Sequence, residues 1–216
     1  MTAYAPSPPI ALPSCAKGLL PRQPPGHVQR AQLQRRLLAQ DCRLRLLIAP
    51  AGFGKSVLLA DCARQCPPEC SPLWLNCAGQ PASPAAFCRQ LASALGYPSS
   101  MSEASLLAAL QQEQRALWIM LNDYPREPDG ELDACLDRLL CASPANLSWW
   151  LGSRRRPLCN LPRLLLEGEL FELGGAELAF TPGEVGAWLQ HVETLRASRA
   201  DNLFGLTRGW PAALRL

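Results

Sequence analysis

With 216 residues, 48% of them hydrophobic and 18% charged, the chain is long enough to bury one sizeable core and too apolar to stay unfolded. No apolar run approaches the ~20 residues of a membrane span, and the proline-broken opening MTAYAPSPPIALPSCAKG lacks the basic start and continuous apolar core of a secretory signal, so a cytoplasmic protein with no membrane contact is expected. The formal charge of +3 is too small to name a partner.

In chain order, residues 1–25 are rich in proline and small residues and have no period, so they are expected to form a mobile tail or an extended arm. From Val28 to Ala39, apolar residues at Val28, Leu33, Leu37 and Leu38 predict a short amphipathic helix. Lys17, Arg22, Arg30, Arg35, Arg36, Arg43 and Arg45 are offset only by Asp41. Without interleaved aromatics or a helix-turn-helix pattern they read as a solvated basic face rather than a nucleic-acid surface.

The stretch LRLLIAPAGFGKSVLL, Leu44 to Leu59, reads as strand, phosphate loop and helix. Ala49, Gly54, Lys55 and Ser56, with Pro50, Ala51, Gly52 and Phe53 between them, meet the [AG]-x-x-x-x-G-K-[ST] template in the context it requires. Gly52 and Gly54 can take positive φ and carry no Cβ, so main-chain N–H groups can turn inward on phosphate oxygens. The helix starting near Gly54 adds its unpaired N–H groups and partial positive charge. Lys55 is expected to reach the β and γ phosphates, and the Ser56 hydroxyl to bind Mg²⁺.

The helix should run to about Cys66, where Pro67-Pro68 stops it, with Val57, Leu58, Ala60 and Cys62 toward a sheet. Ten cysteines are spread along the chain with no CxxC pair. Cys62 and Cys66 could share a helix face and Cys70 follows at the same spacing, yet with no nearby histidine these read as small thiols in a reducing compartment, not as a zinc site. PLWLNC (72–77) is a second strand, Ser83-Pro84 caps a helix to Leu95, and Ser102 caps another carrying Leu106, Leu107 and Leu110. ALWIML (116–121) is a strand buried on both sides, followed by a helix from Glu131 to Cys141, a strand LSWWLG (147–152) and a strand near 170–173. Thr181-Pro182-Gly183-Glu184 forms a capping box that opens a helix with Val185, Trp188 and Leu189. This alternation predicts an α/β fold with a mainly parallel sheet covered on both faces.

A phosphate loop needs a carboxylate at the end of a neighbouring strand. ALWIMLND is the hydrophobic strand that ends in an acid, which makes Asp123 the candidate, either at the site or merely starting a turn. Asn122 stands where a first aspartate is usual. An amide accepts a hydrogen bond from metal-bound water but brings no charge, a loss of at most ~4 kcal/mol for charges ~4 Å apart at an effective dielectric near 20. Nucleotide binding with slow hydrolysis is the expectation. Arg154, at the tip of the next strand, is placed to sense a γ-phosphate or to hold nearby loops, while Arg155 and Arg156 should face water.

APAGFGKS followed by VLLADCA, then WIMLNDYP, WWLGSRRRP, LAFTPGEV and LTRGWPAALRL resemble, in order, the amino-terminal ATPase module of the MalT-like group of ATP-dependent LuxR-type transcriptional regulators, within the STAND class of ATPases. The resemblance covers about residues 20–216 and implies a five-stranded P-loop NTPase core in three α/β/α layers (26–192), the start of a helical lid (193–216), ADP in a resting state, and ATP with Mg²⁺ in an active state that self-associates or takes a partner protein. It implies nucleotide contacts at Ala49, Ala51, Gly52, Phe53, Gly54, Lys55, Ser56, Val57, Arg30 and Pro211. Metal contacts fall at Ser56, Asp123 and Asn122, and catalytic or sensing roles at Asp123 and Arg154. Gly209-Trp210-Pro211 resembles the lid motif of that class. Family members continue past GWPAALRL into sensor repeats and a DNA-binding domain, so the expectation is a fragment or truncated relative that does not contact DNA by itself. A small-molecule P-loop kinase and a degenerate nucleotide-binding scaffold are the competing readings.

Overall fold

The computed structural model describes residues 20–191 and 200–215. The apolar runs pair as one sheet: β1 (Leu44–Ile48), β2 (Cys70–Asn76), β3 (Ala116–Asn122), β4 (Leu147–Ser153) and β5 (Leu170–Leu173), in the order β2-β3-β4-β1-β5. Every pairing is parallel, with Leu46 beside Leu151 and Glu172, and Asn76 beside Asn122. Parallel neighbours need long crossovers, and helices supply them. One face carries α1 (Ala31–Leu38) and α2 (Lys55–Arg64). The other carries α3 (Pro84–Leu95), α4 (Glu103–Gln111), α5 (Gly130–Ala142) and α6 (Leu161–Leu166).

The strands are apolar throughout because each lies between two helical layers. Leu117, Ile119 and Leu121 of β3 join Leu91, Leu95, Leu106 and Leu136, whereas Met120 joins Leu58, Leu59 and Leu37 on the opposite face. A third cluster is separate from the sheet. Val28, Val185, Trp188, Leu189 and Leu214 pack with Phe180, Leu203 and Phe204, uniting the segment before α1 with α8 (Pro182–His191) and α9 (Ala200–Thr207). Between β5 and α8 lies α7 (Gly175–Leu178), whose N-terminus is closed by Gly174 N–H donating to Glu177 Oε2 at 2.9 Å. Neither α6 nor α7 was anticipated, because six and four residues are too few for an apolar period to register.

The expected caps form. Ser83 and Ser102 accept from Ala86 N and Ser105 N, each at 3.2 Å. Thr181 N donates to Glu184 Oε2 at 2.8 Å while Glu184 N donates to Thr181 Oγ1 at 3.2 Å, a reciprocal box. The first helix begins at Ala31 rather than Val28, because Arg30 is its non-helical N-cap and Val28 is drawn into the third cluster. The loop-following helix ends at Arg64, so Cys62 and Cys66 do not share a helix face. Cys62 is buried, with its thiol pushed up to about 12 by desolvation and by neighbouring Asp61, and Cys66 hydrogen-bonds Cys70 instead. Residues 1–19 of the expected tail lie outside the described residues. Residues 20–25 run along α2, where Gln23 Nε2 donates to Asp61 Oδ1 at 3.1 Å and Arg64 donates to the Pro21 carbonyl.

Only half of the described basic face is solvated: Arg22, Arg35 and Arg36 are exposed, whereas Arg30, Arg43 and Arg45 are drawn into the structure. Arg45 is 5% exposed; its Nε donates to Leu37 O at 2.8 Å and its guanidinium lies 4.5 Å from the Trp150 ring. Arg43 Nη1 donates to Leu140 O and Ser143 O at 2.8 and 2.7 Å. These carbonyls are at the C-terminal ends of α1 and α5, which carry acceptors with no helical partner and partial negative charge, and a planar five-donor fork suits them. Arg36 is exposed and pairs with Glu177 at 2.9 Å, and Lys17 lies outside the described residues.

Arg155 does not face water either. Asp133 on α5 is completely buried, and both its oxygens are occupied: Oδ1 by Tyr124 Oη and Arg155 Nη2 at 2.9 Å each, Oδ2 by Arg155 Nη1 at 2.6 Å and Leu158 N at 2.8 Å. Arg156 is the exposed one, pairing with Glu172. Removing one member of a buried ion pair leaves the other charge uncompensated. Arg155→Ala should therefore lower unfolding stability by about 3–5 kcal/mol in urea titrations, against less than about 1 kcal/mol for Arg156→Ala.

Candidate functional site

Parallel strands deliver their last residues to one edge, and a cleft of about 620 Å3 opens there. Its floor is the loop from β1 to α2. Gly52 (φ +81°) and Gly54 (φ +78°) both take the left-handed conformation that the template requires, and Gly54 caps α2. A Cβ on Gly52 would stand 2.4 Å from Ala212 Cβ and 2.7 Å from Trp210 Nε1, so this glycine is also the point where the C-terminal segment comes down on the loop. Trp210 Nε1 donates to Ala51 O at 3.0 Å. Gly209 (φ +72°) allows that approach from the other side: its carbonyl accepts from Phe180 N at 2.7 Å, and a Cβ there would collide with Phe180 O.

Lys55 is 8% exposed and folds back on the loop, with Nζ donating to Ala49 O at 2.5 Å and Pro50 O at 2.9 Å. Burial and the nearby Arg154 lower its pKa to about 8, against the opposing pull of Asp123. Two weak carbonyl partners replace little of the water that an ammonium group gives up. A polyanion between Lys55 and Arg154 would offset both effects.

At the ends of β2 and β3 the side chains of Asn76 and Asn122 meet. Asn76 Oδ1 accepts from Ala78 N at 3.2 Å and from Asn122 Nδ2 at 3.1 Å. Because the first bond fixes which end of Asn76 is the acceptor, Asn122 must present Nδ2 to it. Its Oδ1 is then turned away, buried and without a partner among the described residues. A buried orphan acceptor costs about 1–3 kcal/mol and calls for a donor that binds there. Asp123 follows at φ +50°, a conformation tolerated by aspartate and enriched at functional sites. Its carboxylate lies 3.3 Å from Arg154 Nε and 3.6 Å from Arg126 Nη2.

The structure thus gathers Ala51, Gly52, Gly54, Lys55, Ser56 and Val57 with Asn122, Asp123, Arg154, Arg30 and Pro211 around one cleft. Val57 lines it instead of packing on the sheet. Two expected contacts lie off the cleft: Ala49 is buried beneath the loop, 2% exposed, and Phe53 packs against the α1 and α2 layer. Arg30 borders the cleft with its guanidinium committed elsewhere. Nη1 donates to Leu178 O at 2.7 Å, Nη2 to Ala179 O at 2.8 Å, and Nε to Glu184 Oε1 at 2.9 Å, with the Phe180 ring 5.1 Å away. It clamps the start of α1 to the end of α7 and the start of α8. Asn76, Phe180 and Trp188 also line the cleft and were not expected there from the sequence. For Asn76 the signal was present, since it ends a strand of the same sheet. Arg155 and Arg156 are held by Asp133 and Glu172.

No protein-family model matches the sequence. Curated relatives do. The HTH-type transcriptional regulator MalT of Serratia proteamaculans is 26% identical over 218 aligned positions, covering 89% of this chain and 24% of that protein. The serine/threonine-protein kinase PknK of Mycobacterium tuberculosis is 29% identical over 196, covering 81% of this chain and 18% of that protein. The chain is similar to both over most of its length, and its parallel sheet with a Gly-Lys-Ser loop after β1 is that of a P-loop NTPase. The chain spans a quarter or less of the length of these relatives. A chain in a structure of Drosophila ORC bound to AT-rich DNA and Cdc6 aligns over 82% of this chain and 64% of its own length, at 13% identity and TM-score 0.45. Among the described residues no helix is long and apolar enough to cross a membrane.

The contact between loop and C-terminal segment rests on a missing side chain. Gly52→Ala adds a Cβ at a positive φ and into Trp210 and Ala212, so it should detach that segment. Hydrogen exchange at residues 209–213 should accelerate by about 10-fold or more, corresponding to at least about 1.4 kcal/mol of local opening. Gly186→Ala, where a Cβ meets nothing within 4 Å, should leave the rates unchanged.

Proposed function

We propose that the chain is an ATP/ADP-operated switch module of a MalT-like transcriptional regulator, with slow or no hydrolysis. The observation that supports it most is the place of the Trp210–Ala212 segment, in contact with the phosphate loop and lining the same cleft as Lys55 and Arg154. Any ligand on the loop changes what this segment touches. The bond from Trp210 to Ala51 is worth about 0.5–1.5 kcal/mol net, whereas inverting two populations from 1:99 to 99:1 takes about 5.5 kcal/mol. Contacts that ATP makes and ADP lacks are sufficient to do this if they fall on Arg154 and Lys55.

The cleft suits the polyphosphate of a nucleotide. The N-terminus of α2, an under-solvated ammonium and Arg154 all seek an anion. Mg²⁺ suits the same place: the Ser56 hydroxyl and the orphaned Asn122 Oδ1, through a metal-bound water, are the residues that would hold it, with Asp123 beside them. The ion would supply charge neutralisation between phosphates. Asp123, held by two arginines, is available to orient water only when those arginines turn to phosphate. Self-association in the ATP state and a role in transcription are carried by the likeness to MalT. The scaffold reading differs only in turnover, and Asn122 is the residue that favours it.

Nucleotide titration by calorimetry is the primary test. Wild type should bind ADP and ATP saturably, and Lys55→Ala should weaken binding by about 100-fold or more, since a charge-assisted contact worth about 3 kcal/mol is lost. No binding by wild type would sink the proposal. Affinity should also fall as pH rises. Lys55 is charged below about 8 in the free protein and is held charged by bound phosphate, so above 8 binding must take up a proton, with up to tenfold loss per pH unit. Calorimetry in two buffers of different ionisation enthalpy reads that uptake. Asn122→Asp should raise Mg²⁺-dependent phosphate release, and an unchanged rate would place the limit elsewhere.

A further inference from the structure

We propose that Cys88, Glu103 and Cys135 form a Zn²⁺ site in the helical layer, apart from the cleft. The three side chains come from three helices, the middle of α3, the first residue of α4 and the middle of α5, so their convergence is tertiary and no sequence spacing announces it. One ligand atom from each lies within 4.8 Å of the others. The two thiols are buried and their sulfur atoms are 3.5 Å apart. Two thiolates on one tetrahedral Zn²⁺, with bonds of about 2.3 Å, sit about 3.8 Å apart, so the pair needs only a small spread to accept the ion. Sulfur is a soft ligand, and a Cys₂ plus carboxylate set leaves a fourth position for water, which selects Zn²⁺ over Mg²⁺ or Ca²⁺.

Charge and exposure fit as well. Glu103 is partly exposed and takes a hydrogen bond from Arg138 Nε at 2.5 Å, which holds its carboxyl below the usual range despite some burial. On binding, each thiol releases its proton to solvent and forms an S–Zn bond, and the carboxylate supplies one oxygen. Three anionic donors on a dication leave one net negative charge, which Arg138 at the mouth balances. The ion would tie α3, α4 and α5 together over the β2, β3 and β4 side of the sheet, whether or not the cleft holds a nucleotide.

The test uses the whole chain, reduced and stripped with chelator, titrated with Co²⁺ as the optical probe. We expect one equivalent to bind with intense thiolate-to-cobalt absorption and the visible bands of a four-coordinate ion, to be displaced by Zn²⁺, and to raise the melting temperature. Cys88→Ser and Cys135→Ser should abolish the absorption, Glu103→Gln should weaken binding by about 10- to 100-fold, and the Cys66→Ala/Cys70→Ala double variant should leave it intact. No thiolate absorption in wild type overturns the proposal, as does absorption that survives Cys88→Ser or disappears in Cys66→Ala/Cys70→Ala. A Cys88–Cys135 disulfide in a chain that takes up no metal after reduction overturns it too. Should the serine variants fail to fold, Glu103→Gln decides alone: unchanged affinity refutes the site.

Discussion

Every strand of the sheet runs in the same direction, and this constraint organises the molecule. Parallel pairing sends each chain end to a common edge, so the phosphate loop after β1, Asn76 after β2, Asn122 and Asp123 after β3, and Arg154 after β4 arrive together although more than 100 residues separate the first from the last. The same constraint demands helical crossovers and so buries both faces of the sheet, which leaves its edge as the place for polar side chains to meet in a concave site. Site and core are consequences of one hydrogen-bonding pattern.

The arginines show how such a fold disposes of charge. Arg43 and Arg45 lie at helix C-termini, where carbonyl groups lack partners, and Arg155 neutralises the buried carboxylate of Asp133. Each guanidinium matches several acceptors at once, which offsets the cost of removing it from water. Arg154 differs from its neighbour by one position and by everything around it. Its only ion-pair partner among the described residues is Asp123, at 3.3 Å, on the wall of the cleft. The adjacent arginine is a strut and this one is available to a ligand, because successive residues leaving a strand point to opposite sides.

The cleft is poised rather than settled. Lys55 is held by two carbonyls that satisfy it poorly, Asn122 keeps an orphaned acceptor, Asp123 and Ala78 take left-handed backbone, and the C-terminal segment touches the loop through little more than one hydrogen bond and a close approach at Gly52. Each costs a small amount of free energy. Local instability collected at one edge of an otherwise well-packed core is what a ligand-responsive element requires.

All five strands, the caps at Ser83, Ser102 and Thr181, and the phosphate loop were legible in the sequence, because each is written in contiguous residues: apolar runs between turn residues, a capping oxygen three positions before its N–H, glycines where φ must be positive. The C-terminal-edge rule then placed Asp123 and Arg154 in the cleft. What the sequence could not show is which side chains meet across long separations. That Arg30 is spent on Glu184, that Arg155 belongs to Asp133, that Trp210 seats on Ala51 and that Cys88 lies against Cys135 follow from packing of residues 22 to 159 positions apart. Local pattern determines how each segment folds because its causes are local. Pairing, burial and the state of a buried charge were decided only when the layers closed.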